Sequence, residues 1–297
     1  MEYDESISID ALRESLLDEI VKSVGLPQTK FWRTIFSPFF WIPTQRFSHV
    51  GARFDAIVAR SGFHDAMRDL QSFFVHDVKV SGIENIPLSG PVLVLSNHPG
   101  TYDAVVLSAQ IPRDDVKIVA SDIPFIEKMK SANRHFLFAT RDTFKRMVVI
   151  RQAVDHLKND GVVIIFPSGH IDPEPAFLDV AMGEIENWSQ AINIFLHKAP
   201  DTRIVVALVS NVLAERYFRN PLTRLRKELR DRQRIGEFLQ VIDQLVFRKR
   251  FKHVPVVTFA RPFVLEDIGA EKDISRLIPY VKSQAREMMQ LHIKKRN

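Results

Sequence analysis

The stretch Pro91-Val92-Leu93-Val94-Leu95-Ser96-Asn97-His98-Pro99-Gly100-Thr101-Tyr102-Asp103 joins an apolar run to a Pro-Gly turn and then to an acidic residue. An apolar run without polar alternation suits a strand buried on both faces, as parallel sheets require. Pro99-Gly100 ends it, and Asp103 opens a helix expected to extend through Ala109. A histidine and a carboxylate therefore sit at the carboxyl end of a strand, the edge on which α/β sheets hold their ligands. Such a turn returns the Asp to the imidazole, where it fixes the tautomer and favours the charged ring. His98 and Asp103 are thus a candidate general base and its orienting partner, with a structural hydrogen bond as the competing explanation. Asn97 adds hydrogen-bonding capacity, which turn formation explains equally well.

The same texture repeats along the chain. Short apolar runs at 92–95, 116–120, 135–139, 162–166, 204–209 and 254–259 read as strands. Helical patterns fall between them, near 103–109, 123–132, 143–158, 177–197 and 219–247. This alternation predicts an α/β fold, with a mainly parallel central sheet flanked by helices. Ahead of it, Ile9, Leu12, Leu16, Ile20 and Val24 recur at helical spacing, and helices are expected over 46–60 and 63–74. Composition shifts near residue 76, which predicts a helical N-terminal extension (1–75) and a catalytic domain (76–297).

The 297 residues, 45% hydrophobic and 26% charged, are enough for a sizeable core and unlike a disordered chain. The absence of cysteine excludes disulfides, thiolate metal sites and a Cys nucleophile. Residues 1–10 are acidic and lack the basic start and apolar core of a secretory signal. No uncharged run approaches the roughly 18 to 20 residues that span a bilayer. A cytoplasmic protein, soluble or peripheral to the membrane, is the expectation.

Charge is unevenly placed. Residues 216–252 hold 12 Lys/Arg against four Asp/Glu, a local net of +8 in a chain of net +5. An acidic partner suits such a segment: an anionic membrane surface, a phosphorylated ligand, an acidic carrier protein or nucleic acid. A solvated helix face explains it as well. No recognition motif accompanies the charge, so nucleic acid is not expected.

Two further strand ends carry candidate chemistry. The 162–166 run enters Pro167-Ser168-Gly169-His170-Ile171-Asp172-Pro173, a loop expected on the same sheet edge as His98. The Gly169 backbone N–H is a candidate oxyanion donor, and Ser168 and His170 are candidate substrate contacts, against the alternative of an ordinary turn. The 135–139 run leads to Arg141, whose guanidinium suits a phosphate or carboxylate unless it pairs with Asp142. The His, Asp and Glu spacings do not form a metal motif, and no metal is expected.

Taken together, these blocks resemble the glycerolipid acyltransferases, the glycerol-3-phosphate and lysophosphatidic acid acyltransferase family. Ser96 to Asp103 is similar to its Asn-His-x4-Asp block, and Val80 to Pro87 with Gly90-Pro91 resembles its lead-in strand and turn. Phe138 to Arg141 resembles the second block, Phe166-Pro167-Ser168-Gly169 the third and Val205 to Val209 the fourth. The resemblance spans roughly 78–210. The family's third block reads Phe-Pro-Glu-Gly-Thr-Arg, and this chain departs from it with Ser168, His170 and Ile171. Those departures fall at the acceptor end of the family's site, so a lysolipid other than a phosphorylated glycerol becomes an acceptor to consider.

The resemblance implies acyl transfer from acyl-CoA or acyl carrier protein to a lysolipid hydroxyl, with no cofactor beyond that co-substrate. His98 would be the base and Asp103 its support, while Asn97, Arg141, Ser168, Gly169 and His170 would contact substrate. A non-catalytic lipid-binding relative and an acyl-thioester hydrolase pairing His98 with Ser168 are the rival readings. The latter lacks a Gly-x-Ser-x-Gly elbow. Segment 31–43 bears on the membrane, since eight of the 12 residues from Phe31 to Ile42 are Phe, Trp or Ile. That density suits the headgroup region of a bilayer, or the covering of an apolar domain edge.

Overall fold

The computed structural model describes residues 8–23, 27, 29–121, 123–139, 142–247 and 253–294. Its centre is a seven-stranded sheet in the order β1-β7-β6-β2-β5-β3-β4. The strands are β1 (Lys79–Ser81), β2 (Val92–Ser96), β3 (Val116–Ser121), β4 (Phe136–Ala139), β5 (Val162–Ile165), β6 (Arg203–Ser210) and β7 (Val256–Phe259). Every pairing is parallel except β6 with β7. The expected α/β architecture, mainly parallel and flanked by helices, is what the chain adopts.

Alternation along the central strands divides the interior into two layers. Val92, Val94, Val162, Ile164, Val205 and Ala207 face one core, which is closed by helices Ile9–Ser23, Lys30–Ser61, Phe63–Phe74 and Asp103–Ser108. Leu93, Leu95, Val163, Ile165, Val206 and Leu208 face the other, under helices Thr143–Lys158, Ile192–Lys198 and Leu277–Lys294. Burial of each such Val, Leu or Ile side chain contributes about 1.5 to 3 kcal/mol. The helices before residue 76 share the first core with the sheet: Leu12, Phe54, Phe63 and Met67 pack in one cluster with Val92 and Val94.

Several elements differ from the sequence expectation: the helix expected near 123–132 is only Pro124–Glu127, and that expected over 219–247 begins at Leu229 after a 3-10 turn, Pro221–Leu225. The aromatic segment 31–43 continues into one helix, Lys30–Ser61, with Pro38 and Pro43 inside it. A proline removes one helical hydrogen bond, and near Pro43 the Thr44 hydroxyl donates to the carbonyls of Phe40 (2.7 Å) and Trp41 (3.2 Å). The 177–197 region is broken into helices Ala181–Glu184 and Ile192–Lys198, because Trp188 is extended and the Ser189 N–H is drawn to the Pro167 carbonyl at 3.0 Å. Beyond 259, a C-terminal helix, Leu277–Lys294, covers the second core.

The strand order places β2 between β6 and β5, all three parallel. Their carboxyl ends therefore open side by side, and the loops 97–102, 166–180 and 211–214 emerge on one edge.

Candidate active site

The turn after β2 closes as its spacing required. His98 Nδ1 lies 2.8 Å from Asp103 Oδ2, with the Asp103 side chain fully buried and that of His98 27% exposed. Asp103 Oδ2 also accepts the Gly100 N–H at 3.2 Å, and Oδ1 accepts the Ala104 N–H at 2.5 Å. With its Nδ1 held by a carboxylate, the ring carries its proton there when neutral and presents Nε2 as the free acceptor. Phe166 stacks on the imidazole, centroids 4.6 Å apart. Gly100 lies in close approach to the turn after β6: a Cβ there would sit 3.0 Å from the Val212 side chain.

Burial alone would lower the His98 pKa, but the Asp103 carboxylate outweighs it by charge and hydrogen bond. With Asp172 and Glu237 adding negative potential, the pKa is raised to about 9. The pair thus favours the charged form of the ring.

The site is fixed from three sides by groups distant in sequence. Asp172 clamps the His98 backbone from the β5 loop: His98 N–H donates to Asp172 Oδ2 at 2.9 Å, and Asp172 N–H donates to the His98 carbonyl at 2.7 Å. Glu174 is fully buried and receives the N–H groups of Ala176, Asn211, Val212 and Leu213, which shapes the turn after β6. Burial pushes its pKa up to about 7 against those four donors. Helix Leu229–Val246 supplies the third side through a buried polar stripe. Gln233 Nε2 donates to the carbonyls of Pro99 and Asp172, both at 2.8 Å, and its Oε1 accepts the Glu174 N–H. Four residues on, Glu237 accepts the Thr101 hydroxyl at 2.6 Å, and burial raises its pKa to about 7. Gln240 then donates to Tyr102 Oη (2.8 Å) and to the Val212 carbonyl (2.6 Å).

Several expected contacts fall elsewhere. Asn97 is buried and its amide is engaged in the sheet: it donates to the Val209 carbonyl and accepts the Val209 N–H, both at 2.8 Å, extending the β2–β6 ladder by a side chain. The Gly169 N–H is spent on the Phe166 carbonyl at 3.0 Å, so it is not a free oxyanion donor. Gly169 is exposed with φ +70°, the left-handed conformation that closes this turn. Ser168 Oγ donates to the His170 carbonyl at 2.9 Å, so the Ser168–His98 pair of a hydrolase is not formed. His170 bonds Glu184 through Nε2 at 2.6 Å, and that ring nitrogen lies 3.8 Å from Asp172. Arg141 lies outside the described residues.

His170, Asp172 and Glu184 offer ligand atoms within 4.8 Å of one another, the one such group of three among the described residues. Glu184 already holds His170, the Asn187 amide at 2.9 Å and Arg230 at 3.6 Å.

Sequence reasoning passed over Asp172, Glu174, Gln233 and Glu237. The signal for the last two was present, since Gln233, Glu237, Gln240 and Gln244 recur at helical spacing within a segment whose arginines drew attention to charge.

A family model described as Acyltransferase matches residues 77–210, which contain His98, Asp103 and the β5 loop. This part of the chain is similar to that family. No curated protein matches the chain. Among solved structures, the crystal structure of the 1-acyl-sn-glycerophosphate (LPA) acyltransferase PlsC from Thermotoga maritima is similar at 15% sequence identity. That match has a TM-score of 0.47 and covers 95% of this chain and 97% of that one. The polar groups reported above, those of helix Leu229–Val246 coming from beyond the matched residues, converge on the β2 turn.

Proposed function

We propose that the protein is a peripheral membrane O-acyltransferase that moves a fatty acyl chain from a thioester, acyl-CoA or acyl carrier protein, to a hydroxyl of a lysophospholipid or related lysolipid. The observation that carries this reading is the 2.8 Å contact between His98 Nδ1 and buried Asp103, which reserves Nε2 for substrate. In the neutral ring, Nε2 takes the acceptor hydroxyl proton as that oxygen attacks the thioester carbonyl. The tetrahedral intermediate collapses, the C–S bond breaks, and the proton on Nε2 passes to the departing thiolate. Asp103 stabilises the imidazolium between these two steps. General-base assistance of this kind contributes typically about 10² to 10⁴ in rate.

Membrane association is supported by the aromatic turns of helix Lys30–Ser61, where Phe31, Phe39, Trp41 and Ile42 are exposed. No helix among the described residues is long and apolar enough to cross a membrane. The test follows thiol release and acylated product together, using purified protein, a long-chain acyl thioester and a panel of lysolipids in liposomes. Acceptor-dependent product that disappears in His98→Ala is the expected result. Thiol release without acylated product overturns it in favour of hydrolysis, and vesicle binding without turnover overturns it in favour of a lipid-binding protein.

A further inference from the structure

Helices Lys30–Ser61 and Leu229–Val246 run side by side in the same direction. Phe40 meets Phe238 with ring centroids 5.8 Å apart. Six residues on, Arg46 donates to the carbonyls of Leu245 (2.7 Å) and Val246 (3.1 Å). The aromatic first turns of the long helix therefore lie toward the start of helix Leu229–Val246. That start is also the active-site end, since Gln233 bonds Pro99 and Asp172, whereas Gln244 near the other end bonds the Phe74 carbonyl at 2.9 Å.

The segment feeding into this end is Pro221-Leu222-Thr223-Arg224-Leu225-Arg226-Lys227. Leu222 is 51% exposed and Leu225 77%. Their display is built into the fold. Thr223 between them is fully buried, with its hydroxyl on the carbonyls of Phe218 and Asn220, both at 2.8 Å. The Asn220 side chain accepts the Leu222 N–H at 3.0 Å. Exposed Arg224, Arg226 and Lys227 surround the leucines, and none of the three forms an ion pair among the described residues. Neighbouring cations are neutralised instead: Arg219 by Glu215, Arg230 by Glu184 and Arg234 by Asp231.

We propose that residues 221–227 are a second membrane contact, specific for anionic bilayers, which with Phe39 and Trp41 turns the His98 end of the molecule toward lipid. The proposal rests on the peripheral-membrane reading above and adds its orientation and its lipid charge requirement. Leu222 and Leu225 enter the headgroup boundary, while the three cations lie along the surface with their stems against apolar chains and their charges on lipid phosphates. An acidic carrier protein would satisfy the cations alone. Two exposed leucines held up by a buried threonine, at the same end as exposed aromatic rings, call for an apolar phase as well.

Co-sedimentation with vesicles of phosphatidylcholine, with and without phosphatidylglycerol, tests this on the full chain. The triple variant Arg224→Ala, Arg226→Ala, Lys227→Ala is expected to bind anionic vesicles about 10- to 100-fold more weakly, with binding to neutral vesicles unchanged. Leu222→Ser with Leu225→Ser weakens binding to both. Acylation of a short-chain, water-soluble lysolipid stays at the wild-type rate in each, which also reports that both variants fold. Wild-type binding by both variants overturns the loop proposal while leaving the membrane reading intact. Failure of the unaltered protein to bind any vesicle overturns both. Intact vesicle binding in the triple variant, together with lost turnover on a carrier-protein donor only, assigns the loop to a protein partner and overturns the lipid assignment.

Discussion

The turn after β2 and the turn after β5 start alike, each a buried apolar strand running into a proline and a glycine on the same sheet edge, and they end very differently. In the first, His98 Nδ1 and the polar groups of Asp103, Asn97, Thr101 and Tyr102 are all held by partners within the site, while His98 Nε2 stays open. In the second, Ser168 and Gly169 satisfy only their own turn, and His170 reaches a half-buried glutamate at the rim. One turn is locked to hold a geometry; the other is closed on itself at the edge of the site. The difference predicts where substitution is catastrophic and where it is tolerated.

The sharpest break would come at His98. If the locked turn holds the reacting base, His98→Ala lowers kcat/KM for acyl transfer by about 10² to 10⁴ in a protein that still folds, with a melting temperature lowered by loss of the His98–Asp103 pair. Activity within tenfold of wild type would remove the distinction between the two turns.

The pH profile follows in size. With His98 held at about 9, kcat/KM is expected to rise about tenfold per pH unit through neutral pH and to level off above about 9. The raised pKa has a stability consequence of opposite sense. The folded value lies above the ordinary 6.5, so the pair's contribution is fully present below about 6.5 and is lost as pH rises through about 9. Asp103→Asn should abolish that pH-dependent stability and move the rise of residual activity to lower pH, as read by kinetics and by thermal melts across the range. An unchanged profile in Asp103→Asn would show that the carboxylate does not set the ring's charge.

A third prediction concerns the support behind the locked turn. Gln233→Ala strands the carbonyls of Pro99 and Asp172 and the Glu174 N–H in a buried setting, and is expected to cost about 1 to 3 kcal/mol in denaturant unfolding. Activity should fall with it, because the His98 loop and the β5 loop lose their shared tie. Stability loss with full activity would confine Gln233 to packing.

Locality decides how much of this was legible in the sequence. His98 and Asp103 lie on one turn, so spacing alone brought them together, and the six apolar runs gave the parallel core because two-sided burial leaves a local mark. The bonding of Asn97 to Val209 left no local mark, because the two lie 112 positions apart and only the adjacency of β2 and β6 brings them into contact. The helix expected over 46–60 extends back to Lys30 through Pro38 and Pro43, where Phe40 and Phe47 pack on the rings of Phe238 and Phe125. Gln233 and Glu237 were hidden by their neighbours. The same helix shows arginines to solvent and a polar stripe to the interior, and a net-charge reading registers only the first.

The smallest expected effect is also the one that tests the second turn most directly. His170 bonds Glu184, which in turn holds Asn187 and Arg230, and this network sits at the rim. Were His170 a substrate contact, His170→Ala would raise KM for the acceptor well beyond tenfold with kcat preserved. The geometry predicts less. The Nε2 that would meet a substrate is already on a carboxylate at 2.6 Å, and the backbone clamp between His98 and Asp172 does not pass through the His170 side chain. His170→Ala should therefore change kcat/KM by less than about tenfold. It should also lower the melting temperature modestly, through loss of a partly exposed ion pair of about 0 to 1 kcal/mol. A large KM effect would mean that the Glu184 bond opens to admit substrate, and the second turn would then be a recognition element rather than the edge of the frame.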